Sequence, residues 1–97
     1  MSESFAEPVA DYVLTGHALF EMKRRGLTEE LVPRVLNFPE QRMGVRPGRI
    51  VLQSRIQMGE PAKAYLIRVF LDVDRNPAEV VTVYRTAKIP KYWREQP

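Results

Sequence analysis

Residues 79–93, EVVTVYRTAKIPKYW, decide how the rest of the chain is interpreted. The first half, residues 80–86, is rich in β-branched and aromatic residues, which fit a half-buried pleated surface, and it predicts the last strand of a sheet. The second half opens a basic tail. Four basic residues and one acidic residue follow Tyr84, so the tail carries a net charge of +3, equal to that of the whole chain. We therefore expect a core strand to bring a positive, aromatic end to one edge of the protein.

Length and composition limit the possible classes of protein. The 97 residues, 44% apolar and 28% charged, are typical of one globular domain over residues 1–97, with a flexible lead-in over residues 1–10 and a core over residues 11–93. The chain has no cysteine, which excludes a disulfide scaffold, a thiolate metal site and a cysteine nucleophile. The acidic N-terminus and the lack of a long apolar stretch favour a cytoplasmic protein without a membrane segment.

A first amphipathic helix is predicted over residues 16–25. Thr15 is placed to cap its start, and Gly26 stands where a left-handed residue often ends a helix. At 100° per residue, His17 does not lie on the core face. The residues expected on that face are Ala18, Leu19, Met22 and Gly26.

A second helix is predicted over residues 29–38, with Thr28 as its cap. Pro33 removes one hydrogen bond at the fifth helical position, which predicts a kink or a late start.

Strands are predicted from Gln41 onward, where apolar residues begin to alternate. The long strands cover residues 49–56, 63–73 and 80–86, with short candidates at 11–14 and 41–45 and a turn at 46–49. Alternation directs one face of the long strands towards the core, with Ile50, Leu52, Ile56, Tyr65, Ile67, Val69, Leu71 and Val73 on it. We predict an α+β fold, in which two N-terminal helices pack on an antiparallel β-meander sheet of three to four strands.

His17 and Glu21 are one helical turn apart, so the carboxylate could orient the imidazole and raise its basicity. The alternative is a solvated helix face with an incidental pair. One histidine and scattered acids show no metal-ligand spacing, and we expect neither a metal nor a cofactor.

Arg55 and Arg68 lie at alternating positions of neighbouring strands, on the less apolar face of each. If those faces coincide, two guanidiniums stand on an open sheet surface beside Leu66 and Phe70, where they suit phosphate oxygens and the ring suits a base. The alternative is a pair of ordinary solvated arginines, because the register of the strands is not visible in the sequence.

The end of the last strand carries a phenol, a hydroxyl and cations. Strand ends beside loops often display catalytic groups, and such a set could transfer protons and stabilise charge on phosphorus. The alternative is a core tyrosine with cations that keep the edge soluble. We expect Tyr92 and Trp93 mainly to pin the C-terminus onto the helices. The residues that form this end are Tyr84, Arg85, Thr86 and Lys88.

Two segments, HALFEMKRRGLT at residues 17–28 and VVTVYRTAKIPKYW at residues 80–93, resemble the hallmarks of a small family of bacterial domains grouped with the BrnT and RelE/ParE toxins. The similarity spans residues 11–93, and its two ends are the specific parts. It implies the barnase, colicin and RelE-like ribonuclease fold and metal-independent cleavage of RNA, in which the 2′-hydroxyl attacks the adjacent phosphate.

The same resemblance implies roles for individual residues. His17 matches the histidine of the family and would act as general base or acid, with Tyr84 as a second proton-transfer group. The sequence departs from the family at Glu21, where a basic residue is usual, which indicates either a His–Glu dyad or a copy without phosphate affinity. The residues expected to be catalytic are His17, Glu21, Tyr84 and Lys88, and those expected to bind RNA are Arg55, Arg68, Arg85, Thr86 and Lys91.

Three functions remain open at this point. The first is a toxin-type ribonuclease. The second is a non-catalytic module that binds nucleic acid or protein through the open sheet face. The third is an interaction protein whose Leu66 and Phe70 surface pairs two copies in a homodimer or receives an antitoxin helix.

Overall fold

The computed structural model describes residues 6–95. The five strands form one sheet in the order β1-β5-β4-β3-β2, in which β2 to β5 are an antiparallel meander and β1 is parallel to β5. The elements in chain order are β1 (Tyr12–Leu14), α1 (Gly16–Arg24), α2 (Leu31–Asn37), β2 (Gln41–Arg46), β3 (Arg49–Met58), β4 (Lys63–Asp72), β5 (Ala78–Thr86) and α3 (Ile89–Tyr92).

The predicted α+β class, with N-terminal helices packed on the sheet, is confirmed, but the sheet differs from the prediction. It has five strands rather than three to four, and it is mixed rather than antiparallel. The difference arises at β1, whose residues pair with Ala78, Glu79 and Val80 of the last strand. A strand of three residues has no pattern that could reveal its partner or its direction.

Helix α1 follows the sequence prediction closely. The Thr15 side-chain oxygen accepts a hydrogen bond from the backbone N–H of Ala18 at 3.1 Å, which satisfies one free donor at the start of the helix. Gly26, just beyond the end, has the left-handed φ of 70° that glycine adopts without strain. Ala18 and Met22 are buried as expected, but Leu19 is 36% exposed.

Helix α2 begins later than predicted. It starts at Leu31, and Glu30 is the N-cap without a side-chain capping bond, so the prediction of Thr28 as the cap is wrong. Pro33 therefore falls in the first helical turn, where its missing N–H would have had no partner within the helix. The proline thus shifts the start rather than bending the helix.

The core lies between the helices and one face of the sheet, which we call the helix-covered face. The predicted alternation is confirmed, because the inward residues of β3 and β4 join this core. Its fully buried side chains include Met22, Val32, Val35, Leu36, Leu52, Ile67, Val69, Leu71, Val80 and Val83. The outward residues of the same strands form the second face, which we call the outer face.

The expected lead-in over residues 1–10 falls partly outside the described residues, which begin at Ala6. The backbone N–H of Ala6 donates to Pro39 O at 2.8 Å, and that of Val9 donates to Leu36 O at 3.0 Å. Val9 also packs against the core. Over the described range, no helix has the length and apolar character needed to cross a membrane.

Candidate nucleic-acid interface

A row of polar side chains crosses four strands of the outer face. We call Gln41, Gln53, Arg68 and Tyr84 the polar row, because each stands directly opposite the next in the sheet register. Gln53 Nε2 donates to Gln41 Oε1 at 2.7 Å. Arg68 donates from Nε to Gln53 Oε1 at 2.8 Å and from Nη1 to the Tyr84 hydroxyl oxygen at 2.8 Å. The row is therefore one continuous hydrogen-bonded chain.

The two glutamines of the row are buried. Gln53 has no exposed surface, and Gln41 is 5% exposed. In the described part of the chain, every buried side-chain nitrogen and oxygen has a hydrogen-bond partner. A buried polar group that loses its partner costs about 1–3 kcal/mol, so the row specifies how β2 to β5 align.

The C-terminal segment, residues 89–94, covers part of the polar row. Gln53 Nε2 also donates to Tyr92 O at 3.2 Å, and the backbone N–H of Arg94 donates to Gln41 Oε1 at 3.1 Å. Gln41 Nε2 in turn donates to Arg94 O. Tyr92 thus pins the C-terminus onto the outer face, and the expectation that it packs on the helices is wrong.

Three aromatic rings surround the guanidinium of Arg68. Its Cζ lies 4.5 Å from the ring centroid of Tyr92, 5.3 Å from that of Phe70 and 5.8 Å from that of Tyr84. The Phe70 and Tyr84 rings are stacked with centroids 6.0 Å apart, and the Tyr84 and Tyr92 rings meet edge to face at 6.4 Å. The half-buried rings and the cation form one cluster on the outer face.

Arg55 lies on the same outer face as Arg68, but it has a partner of its own. Its guanidinium binds both carboxylate oxygens of Glu40, at 3.1 and 2.8 Å, and the Arg55 backbone N–H donates to the same carboxylate at 2.7 Å. These hydrogen bonds hold the pKa of Glu40 below its usual range. The Arg55 Cζ also lies 4.0 Å from the ring centroid of Trp93, and half of its side chain remains exposed.

His17 and Glu21 are not joined by a hydrogen bond in residues 6–95. The Glu21 carboxylate instead accepts from Arg24 and forms an ion pair with Arg25 at 3.0 Å. The hydrogen bond from Arg24, followed by the nearby positive charges, lowers the pKa of Glu21. His17 is exposed on α1, where its own positive form adds to that effect. The carboxylate of the predicted dyad is therefore shared by two arginines.

The predicted residues at the end of β5 point to different faces. Tyr84 and Thr86 stand opposite Arg68 and Leu66 on the outer face, whereas Arg85 stands opposite Ile67 on the helix-covered face. The guanidinium of Arg85 lies 5.0 Å from the ring centroid of Tyr65. Leu66 is fully buried, so the apolar surface expected around it is reduced to half-buried Phe70.

Lys88 and Lys91, the two predicted cations beyond β5, are exposed. Thr86 accepts a hydrogen bond at its hydroxyl from the Lys88 backbone N–H at 3.0 Å, which shapes the turn into α3. Lys91 Nζ lies 5.4 Å from the ring centroid of Tyr92, beside the aromatic cluster. Of the predicted site residues, the structure joins Arg68 and Tyr84 through their side chains, and Lys88 and Thr86 through a backbone-to-hydroxyl hydrogen bond. No hydrogen bond in the described chain links His17 to Tyr84 or to Lys88.

Gln41 and Gln53 are the site residues that sequence reasoning missed. A glutamine inside a strand otherwise rich in Val, Leu and Ile is a weak signal for a buried polar contact. Knowing that Gln53 stands opposite Arg68 would have indicated a buried polar contact more strongly. That pairing depends on the strand register, which the sequence does not show.

Comparison with protein-family models, with curated proteins and with solved structures finds no match to this chain. The fold defines a small α+β domain with N-terminal helices on a five-stranded mixed sheet. Among the residues that the structure describes, no three His, Asp or Glu side chains come together as a metal site.

Proposed function

We propose that the protein binds single-stranded RNA on the outer face of its sheet. The observation that carries this proposal is the set of rings around Arg68, in which Phe70, Tyr84 and Tyr92 all lie within 6 Å of one guanidinium carbon. Sheet-borne aromatic residues beside cations are a recurring means of binding unpaired bases, because every base has a face that can stack.

Three exposed cations support the same proposal, of which Lys91 lies beside the Tyr92 ring. Arg55, Lys88 and Lys91 are exposed, and the last two follow the strand that carries Tyr84. Bases would stack on the half-buried rings while phosphates contact these side chains. The choice of RNA rather than DNA rests on the resemblance to the BrnT and RelE/ParE toxins.

The test is fluorescence anisotropy with a labelled single-stranded RNA over a range of salt concentrations. Phe70→Ala removes a ring of the cluster, and Phe20→Ala is the matched control, because Phe20 is 64% exposed on α1. We expect Phe70→Ala to weaken binding about tenfold, as the loss of one stacked base does, and Phe20→Ala to leave it unchanged.

A second pair of variants tests the phosphate contacts. Lys91→Gln should reduce the slope of log Kd against log salt by about 0.7, whereas Lys23→Gln, on α1, should not change it. Equal effects of Phe70→Ala and Phe20→Ala, or no RNA binding at low salt, would refute the proposal.

Cleavage of the bound RNA is a second candidate function, and the Arg68–Tyr84 hydrogen bond favours it. In this reaction the 2′-hydroxyl loses its proton to a base and bonds to the adjacent phosphorus. The bond to the 5′-oxygen breaks, and that oxygen takes a proton from an acid, which yields a cyclic phosphate and a 5′-hydroxyl. Tyr84 would transfer one of the protons beside a guanidinium that stabilises the charge. The resemblance implies His17 for the other proton, although α1, which carries His17, packs on the opposite face of the sheet.

Tyr84→Phe separates cleavage from binding, because it keeps the ring and removes the hydroxyl. With labelled RNA and EDTA present, we expect this variant and His17→Gln to bind normally and to lose cleavage. If only Tyr84→Phe loses cleavage, the reaction takes place on the outer face and does not use His17. Normal cleavage in both folded variants would exclude this mechanism. Growth arrest on expression of the wild type, relieved by either variant, is the corresponding test in a bacterial host.

A further inference from the structure

The last six of the nine residues of β5 lie at an edge of the sheet. Strand β1 pairs with Ala78, Glu79 and Val80, so within residues 6–95 no strand neighbours residues 81–86 on the side away from β4. We call these residues the free edge. In the described part of the chain, no backbone–backbone hydrogen bond outside the sheet involves them. An unpaired edge presents N–H and C=O groups to which another extended chain can bind.

One contact shows which way the backbone of the free edge points. Arg25 Nη1 donates to the Val83 carbonyl oxygen at 2.9 Å, so this carbonyl is directed away from β4. Backbone groups of alternate residues point to the same side of a strand. The N–H and C=O of Arg85 therefore also point outward, next to a carbonyl that already accepts from a side chain.

The free edge is positively charged. Arg25, Tyr84 and Arg85 line a shallow depression of about 410 Å³ at this edge, and exposed Lys88 follows it. Arg25 shares the Glu21 carboxylate with Arg24, whereas Arg85 lies over the Tyr65 ring. No carboxylate of the described residues forms an ion pair with Arg85.

We propose that the free edge binds an extended acidic peptide of a partner protein as an added strand. The peptide backbone would bond to Arg85, and its acidic side chains on the helix-covered side would face the guanidiniums of Arg25 and Arg85. A second copy of this chain fits less well, because two free edges would bring four guanidiniums together. RNA lacks the alternating N–H and C=O groups that an edge recognises.

This site lies along the edge of β5, whereas the proposed RNA site lies on the outer face; Tyr84 and Lys88 border both. The test uses a capped, labelled peptide in which Glu alternates with Thr, and a second peptide whose amides are N-methylated at alternate residues. We expect the first peptide to bind and to slow hydrogen exchange of the Arg85 amide. N-methylation should weaken binding by at least about tenfold, because it removes the backbone donors of the added strand.

Variants of the charged groups complete the test. Arg85→Gln should weaken peptide binding about fivefold, as the loss of a cross-strand charge pair does. Arg34→Gln, at an exposed position of α2, should leave peptide binding unchanged. Arg25→Gln should weaken peptide binding as a second test of the charged groups.

Three results would overturn the proposal. The first is equal binding of the N-methylated peptide. The second is amide protection confined to other strands. The third is that the peptide does not bind, while the protein shows RNA binding or self-association that is abolished by Arg85→Gln. An RNA titration followed at Phe70 and Tyr92, which belong to the outer face alone, shows separately whether the RNA proposal fails.

Discussion

The ring of Tyr92 lies over the guanidinium of Arg68, with 4.5 Å between the Arg68 Cζ and the ring centroid. Through this contact the C-terminal segment closes one side of the polar row. The same guanidinium donates to Gln53 and to the Tyr84 hydroxyl on neighbouring strands. Arg68 therefore joins three strands and the C-terminus in one arrangement.

We expect Arg68→Leu to lower the free energy of unfolding by about 1–3 kcal/mol, because Gln53 Oε1 is buried and would lose its donor. Urea denaturation checks this value. Arg34→Leu, at an exposed position of α2, should change the stability by less than about 0.5 kcal/mol. In a double-mutant cycle, the combined cost of Gln53→Leu and Arg68→Leu should fall below the sum of the two single costs. Strict additivity would argue against a coupled row.

Deletion of residues 89–97 should expose the glutamines of the polar row. The Gln53 side-chain amide would lose its bond to Tyr92 O, and Gln41 would lose its bonds to Arg94. We expect hydrogen exchange of the Gln53 side-chain amide, followed by NMR, to accelerate by at least about tenfold, as local opening to solvent does. Deletion of residues 95–97 alone is the control. Unchanged exchange in the longer deletion would mean that the segment does not protect the row.

Thr15 and Thr28 are a matched pair for testing the two helix starts. Thr15→Ala should destabilise the protein by about 1 kcal/mol, because it removes the acceptor of the Ala18 N–H. Thr28→Ala should have little effect, since Glu30 rather than Thr28 is the N-cap of α2. Thermal unfolding followed by circular dichroism measures both. An equal loss of stability in the two variants would contradict the start of α2 at Leu31.

The lowered pKa of Glu40 predicts a dependence of stability on pH. A carboxyl whose pKa is lower in the folded state stabilises the fold above its ordinary value of 4.5, and this contribution disappears as the pH falls through the folded-state value. Glu40→Gln should therefore be less stable than the wild type at neutral pH, and the difference should narrow in acid. Glu29→Gln, at an exposed position, is the control. A difference that stays constant with pH would exclude the Arg55–Glu40 pair as its cause.

Local patterns were sufficient to predict most of the elements. The cap at Thr15, the turn before Arg49 and the alternation along β3 and β4 depend on neighbouring residues, whose preferences act whatever the rest of the chain does. The start of α2 was misplaced because a threonine followed by two glutamates is a strong local signal. The helix instead begins at Leu31, because Leu31 and Val32 pack into the core and Pro33 lies in the first turn.

Local patterns in the amino-acid sequence are enough to predict the α+β class, the core-facing residues of the long strands and the positive, aromatic character of the C-terminal end. The contact of Gln53 with Arg68, the cover that Tyr92 forms over them and the six residues of β5 that β1 leaves at the sheet edge all depend on tertiary packing. The reason is physical. Hydrophobic periodicity acts within one element, whereas register and edge pairing depend on contacts between residues that are far apart in the chain.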